Sequence, residues 1–232
     1  MVRFHPTNQT LVGFADGIIA PNESILVSAH CDLCEQCRSK VLTMTEITAE
    51  LIFEQDKGSK TANIIDNELA NMFDAIVSRP SVIPQASVCT TGKSLFIDGK
   101  SFKIPPSLQR FSESVGDWSH LVGKLWQAPV SIGGKNLANF IYMERGGSVP
   151  EHTHIGNERT LVLNGSFSDG VNEYDTGDYI ALNESHTHTP IAALDEGCLV
   201  FSIIDEPLHF TSGWARLINP LSHLYFKVST KN

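Results

Sequence analysis

Two groups of side chains in this chain have the chemistry to hold transition metal ions. The first is thiolate-rich and lies near the start, in His30-Cys31-Asp32-Leu33-Cys34-Glu35-Gln36-Cys37; the second is His152-Thr153-His154 with Glu158 and the distant His188. Two imidazoles with two thiolates form a closed, tetrahedral, structural Zn²⁺ site. Three neutral imidazoles with one carboxylate suit Zn²⁺, Fe²⁺, Mn²⁺ or Ni²⁺ rather than Ca²⁺ or Mg²⁺, and ligand type alone does not choose among those four.

The elements that must position the first group read as helices. Thr7 or Asn8 can cap a short helix through Leu11, Val12 and Phe14, which Gly17 ends, and Pro21 suits the first turn of the next. If residues 22 to 40 form one helix, His30, Cys34 and Cys37 stand at i, i+4 and i+7 and share a stripe. Folding the first two helices back antiparallel about residue 19 brings position 5 opposite position 33, so His5 completes the set. Cys31 faces about a hundred degrees away from the stripe, as a small core residue or a reserve thiol. A redox use of the Cys-x-x-Cys pair would call for a βαβ context, which is absent. A third helix is expected over about Thr61 to Val77.

The second group sits on a strand pattern. His152 and His154 at i and i+2 point to one face, which in a small barrel is the inside. Glu158 joins them after the bend Ile155-Gly156-Asn157, and His188 arrives from another strand; His186 shares its strand face and is the rival ligand. Alternation and Gly-Asp turns mark residues beyond about 90 as mostly β, with strands expected over Asn139 to Glu144, Thr160 to Leu163, Asp178 to Leu182 and Gly197 to Ile204. Arg79-Pro80-Ser81-Val82-Ile83-Pro84 and Thr90-Thr91-Gly92 read as linker. Cys89 reads as a linker thiol, Cys198 as a strand-core residue, and His120, His209 and His223 as structural or exposed.

Composition narrows the functional classes. The 232 residues, 41% hydrophobic and 19% charged, suit two globular domains. A net charge of −9 argues against direct binding of DNA or RNA. No signal core and no apolar run of roughly 20 residues points to a membrane, so a cytoplasmic chain is expected. Three of the five cysteines lie between Cys31 and Cys37, which favours metal ligation over disulfides.

His5 followed by His30-x3-Cys34-x2-Cys37 resembles the zinc-binding anti-sigma domain over about residues 1 to 85. Gly146, His152, His154, Glu158 and Gly165 resemble the first cupin signature without a gap; of the second, Gly177 and His188 fit, while Asn183 and Ser185 replace its proline and glycine. In this order the two halves resemble the ChrR family of anti-sigma factors, with a tail from about residue 206 lacking a clear counterpart.

The resemblance implies an α+β two-domain protein: a small zinc-binding helical bundle (1–85), a linker (86–100), and a cupin, a jelly-roll barrel or double-stranded β-helix, with a C-terminal extension (101–232). It implies an anti-sigma factor whose helical domain sequesters an extracytoplasmic-function sigma factor and whose cupin answers oxidative stress, such as singlet oxygen or organic hydroperoxide. The metal ligands would be His5, His30, Cys34 and Cys37, with Zn²⁺, and His152, His154, Glu158 and His188, with Zn²⁺, Fe, Mn or Ni. No catalytic residue is implied. The alternative reading is a metal-dependent cupin enzyme, a dioxygenase or isomerase, with a helical docking domain.

Overall fold

Thr7 leaves the helical region (φ −62°, ψ 156°) and its hydroxyl accepts the amide of Thr10, which starts α1 (Asn8–Ala15). The computed structural model describes residues 2–56, 67–79, 93–97, 99–121, 123–133, 136–213, 216 and 219. Gly17, at φ +72°, ends the first turn-back, and Pro21 opens α2 (Pro21–Leu33). Here the chain departs from the single helix expected over 22–40. Cys34 is extended (φ −117°, ψ 103°), and a separate helix α3 runs over Glu35–Asp56. The reason is metric: on a straight helix His30 and Cys37 would stand roughly 10 Å apart along the axis, too far to share one centre. The break draws them together.

The expected antiparallel pairing of the first two helices also changes. Helix α1 packs chiefly against α3, and His5 lies ahead of α1 in an extended segment. Within α1 only Leu11 and Gly13 are buried, so the helix has little apolar area with which to hold itself in place. Helix α4 (Asn67–Val77) is the described part of the third expected helix. Residues 80–92, with Cys89, and residues 220–232, with His223, lie outside the described residues.

The hairpin of β1 (Ser94–Ile97) and β2 (Lys100–Lys103) occupies the end of the stretch expected as linker, because Leu95 and Phe102 face each other and are buried. After α5 (Pro106–Gln109) come β3 (Ser119–His120), β4 (Leu125–Val130), β5 (Leu137–Met143), β6 (His152–His154), β7 (Glu158–Ser168), β8 (Glu173–Asp175), β9 (Tyr179–Leu182), β10 (Thr187–His188), β11 (Ile191–Ala192), β12 (Cys198–Ile204) and β13 (Leu208–Phe210). The long β7 organises the barrel: β12 runs along it, β9 pairs its first half, and β8 and β11 its second. Strand β6 lies between β10 and β13. The tail expected without counterpart thus begins as a barrel strand.

Gly165 marks where β7 bends. It sits at φ +73°, and a Cβ there would lie 2.0 Å from the carbonyl oxygen of Gly197 at the start of β12, so only glycine admits the close approach.

The helical and β regions share one apolar core, in which Leu11, Leu26 and Val27 pack with Leu108, Phe140, Leu161, Tyr179 and Phe201. Each fully buried leucine contributes roughly 2 kcal/mol. No helix among the described residues is long and apolar enough to cross a membrane.

Candidate metal centres

At the N-terminal centre, His30 lies in the last turn of α2, Cys34 occupies the break, and Cys37 lies in the first turn of α3. His5 comes in from the extended start of the chain. Its Nδ1 lies 3.4 Å from His30 Nε2, 3.5 Å from Cys34 Sγ and 3.4 Å from Cys37 Sγ. A tetrahedral ion with bonds of about 2.1 Å to nitrogen and 2.3 Å to sulfur would separate its ligands by roughly 3.4 to 3.7 Å. The donor set and its spacing fit such an ion. His30 Nδ1 donates to the carbonyl of Gly177 at 2.8 Å, and that bond sets the tautomer which leaves Nε2 bare.

Electrostatics point the same way. Burial lowers the His30 pKa to about 4, so the ring is neutral and able to ligate. Burial, and then the neighbouring Cys34, push the Cys37 thiol up to about 12 when no cation is present to favour the thiolate. Cys31 is buried and stands apart from the four-residue cluster, its thiol pushed up to about 11 by burial, as a core residue would be.

The barrel centre gathers His152, His154, Glu158 and His188, whose ligand atoms lie within 4.8 Å of one another. His152 and His154 alternate with Thr153 and both face inward, buried, on β6. His188 pairs with His152 across the β6–β10 ladder, and its Nε2 lies 3.0 Å from His152 Nε2 and 3.2 Å from His154 Nε2. His152 Nδ1 donates to the carbonyl of Pro150 at 2.9 Å, so its Nε2 is bare. One proton cannot satisfy three imidazole nitrogens turned on one another. A cation with bonds of about 2.1 Å at right angles, with ligand separations near 3.0 Å, would do so.

Glu158 opens β7. Its Oε1 accepts the hydroxyls of Thr160 (2.6 Å) and Ser202 (3.0 Å), while Oε2 lies 3.2 Å from His154 Nδ1. Burial works to raise its pKa, but His154, His152 and the Thr160 hydroxyl outweigh it and hold the carboxyl below its ordinary range. Burial, and then the neighbouring His152, lower the His188 pKa to about 4. The rival His186 is exposed and turned to Asn183, whose Oδ1 lies 2.8 Å from its Nδ1. The same oxygen accepts the Ser185 amide at 3.1 Å and its hydroxyl at 2.6 Å, so a side-chain turn does here what proline and glycine would do.

Below this cluster lies an apolar chamber of about 450 Å³, walled by Ile141, Met143, Phe167, Ile180, Leu182 and Phe210, with His152, Glu158 and His188 on its lining. His120 is exposed and edge-on to Trp126, His209 is exposed, and Cys198 is fully buried on β12, its thiol pushed far up by burial. Thr160 and Ser202 were not singled out from sequence, although Thr160 stands at i+2 from Glu158 on one strand face, which is the signal that finds it. Glu23, Arg159 and Asp178 carry no such local mark.

Residues 117–205 match the ChrR cupin-like domain family. The chain is 26% identical, over 94% of its length and 97% of the relative's, to the anti-sigma-E factor ChrR of Cereibacter sphaeroides. It is also similar, at 25% identity and a TM-score of 0.66, to a chain in the crystal structure of Rhodobacter sphaeroides SigE in complex with the anti-sigma ChrR, covering 88% of this chain and 100% of that one. Over nearly all of its length the chain is thus similar to ChrR, and residues 117–205 match the ChrR cupin-like domain.

Proposed function

We propose that this protein is an anti-sigma factor: its helical region sequesters an extracytoplasmic-function sigma factor, and its cupin governs release under oxidative stress. The observation that carries the reading is an exposed apolar stripe on α4. Leu69, Met72, Phe73 and Ile76 recur at three- and four-residue steps, and all are exposed. Leu51, Ile52 and Phe53 near the end of α3 are exposed as well. A stripe of that kind on a helix is the surface a partner buries. The occupant we assign to it is the sigma factor, because a curated protein of near-equal length is an anti-sigma factor and a similar chain stands in a crystal structure of SigE with the anti-sigma ChrR.

In this reading residues 1–85 form the sigma-binding domain, residues 101–232 the cupin, and the protein acts in the cytoplasm as a regulator rather than an enzyme. His5, His30, Cys34 and Cys37 hold Zn²⁺ as a structural ion, and His152, His154, Glu158 and His188 hold Zn²⁺ or Fe, Mn or Ni. The N-terminal ion supplies cross-linking: it ties the extended start of the chain to the junction of α2 and α3, where α1 has little core of its own. The chain's residues do the rest. His30 is oriented by Gly177, Glu158 by Thr160 and Ser202, and apolar side chains line the chamber beside the barrel cluster.

Co-expression with an extracytoplasmic-function sigma factor of the same genome, followed by gel filtration and metal counting, tests the proposal. A one-to-one complex with metal in both centres is expected. Two bound metals without sigma association would overturn it. The chamber beside three His and one Glu also favours a second reading, a metal-dependent dioxygenase or isomerase; consumption of a 1,3-diketone or a thiol by the iron-loaded full chain would select it.

A further inference from the structure

One turn of the barrel, Asp175 to Tyr179, holds the ring of His30 and the backbone just before His5. His30 Nδ1 donates to the Gly177 carbonyl at 2.8 Å. The carboxylate of Asp178, fully buried, accepts the amides of Arg3 (2.6 Å) and Phe4 (3.0 Å) with Oδ1 and that of Asp175 (2.8 Å) with Oδ2. Tyr179 N–H donates to the Phe4 carbonyl at 3.0 Å, so the backbone of residues 3 and 4 is pinned on three bonds directly before His5, and the Arg3 guanidinium adds bonds to the Glu173 carbonyl and to Asp175. Gly177 stands at φ +96°, and a Cβ there would lie 2.6 Å from Val2 Cγ2: the N-terminal strap fills the space a side chain would need. The ring of Tyr179 stands edge-on to that of His30, 6.1 Å between centroids.

The same turn feeds β9, whose two faces look at different things. Ile180 and Leu182 wall the apolar chamber. On the other face, the Tyr179 hydroxyl donates to Glu23 of α2 at 3.3 Å, and the Arg159 guanidinium, one residue after Glu158, lies 3.4 Å from the same carboxylate oxygen. The wall of the barrel chamber and the outer support of the thiolate centre are therefore one piece of chain.

We propose that Asp178 and Gly177 are positioning residues of the N-terminal metal centre, so that the β8–β9 turn of the barrel sets how tightly the helical region holds its ion. The inference rests on the reading of His5, His30, Cys34 and Cys37 as metal ligands. Groups that orient a ligand from outside the coordination sphere typically change metal affinity 10- to 100-fold when removed. Asp178 fixes the backbone that delivers His5, and Gly177 fixes the ring of His30; losing either leaves the thiolates with a mobile imidazole. Because binding free energies are reciprocal, anything that displaces β9 would loosen the ion, and ion binding would in turn favour the resting position of β9.

The test uses the full chain loaded with Co²⁺, whose sulfur-to-metal charge-transfer absorption reports the thiolate centre alone, in competition with a chelator. For Asp178→Ala we expect 10- to 100-fold weaker cobalt binding at the thiolate centre, with the barrel centre unaffected. Asp178→Asn, which keeps one carbonyl oxygen but presents its NH₂ to the Asp175 amide or to Arg3 and Phe4, should fall between the variant and the parent. Asp205→Ala is the control: Asp205 accepts the side-chain amide of Asn157 in the loop between β6 and β7, and its loss should leave the thiolate band unchanged. If Asp178→Ala does not fold, Asp178→Asn decides by the same titration. Parent-like cobalt affinity in a folded Asp178 variant overturns the proposal alone, whereas absence of the thiolate band in the parent chain overturns the reading of the centre beneath it.

Discussion

Arg159 and Glu23 meet across the two regions of the chain, with Nε 3.4 Å from Oε1, both side chains about a quarter exposed. The pair links the residue next to a barrel carboxylate with the first turn of the helix that carries His30 in its last turn. Partial exposure limits its worth to roughly 0.5 to 1 kcal/mol. A double-mutant cycle of Glu23→Ala and Arg159→Ala in urea unfolding should return a coupling of that size, weaker in high salt. Additive single effects would show that the two side chains are merely neighbours.

At the thiolate centre the sign of the pH dependence follows from Cys37. Its thiol, raised to about 12 by burial and by Cys34, is protonated at neutral pH in the metal-free chain, while His30, lowered to about 4, is already neutral. Zinc binding must displace the Cys37 proton, so affinity falls about tenfold per pH unit of acidification for each proton displaced. Calorimetry in buffers of different ionisation enthalpy should register that release, and Cys37→Ser should lose one metal equivalent. Zinc affinity constant between pH 6 and 8 would contradict the assignment.

In the barrel, Glu158→Gln keeps shape and removes charge. Metal content of the barrel centre should drop by about one equivalent while the thiolate centre keeps its own, and sigma binding should survive with the stress response lost. Thr160→Val, which removes the hydroxyl donated to Glu158 at 2.6 Å, should weaken metal binding roughly tenfold without abolishing it. Full retention of both metals in Glu158→Gln would remove the carboxylate from the ligand set.

The α4 stripe makes a third kind of prediction. Phe73 is 64% exposed, so Phe73→Asp should leave the thermal midpoint of the isolated protein within a degree or two. At the centre of a buried interface the same change costs about 2 kcal/mol or more, at least a 30-fold loss of sigma affinity. Unchanged affinity by titration calorimetry would move the sigma contact off α4.

Much of this was legible in sequence because it is local. The cap at Thr7, the stop at Gly17, Pro21 at the head of α2, and the alternation of His152 and His154 are all decided within a few residues, by φ preferences and by the two-residue period of a strand. The break in the helix expected over 22–40 was not legible, because nothing in local propensity marks Cys34 as extended. That conformation accompanies the approach of His5, His30 and Cys37 to one another. Which of His186 and His188 lies beside His152 and His154 also depends on a turn, in which Asn183 takes up Ser185 and His186 while His188 joins the cluster.

By itself, the sequence determined which residues carry metal-binding chemistry and which half of the chain is helical or β, since spacing and periodicity are properties of neighbours. Only the tertiary structure decided that the halves share a core and that a turn some 175 residues away reaches back to residues 3 and 4. Burial of apolar area selects such contacts without regard to distance along the chain. The buried carboxylate of Asp178 then has to find its donors among whatever backbone the packing brings to it.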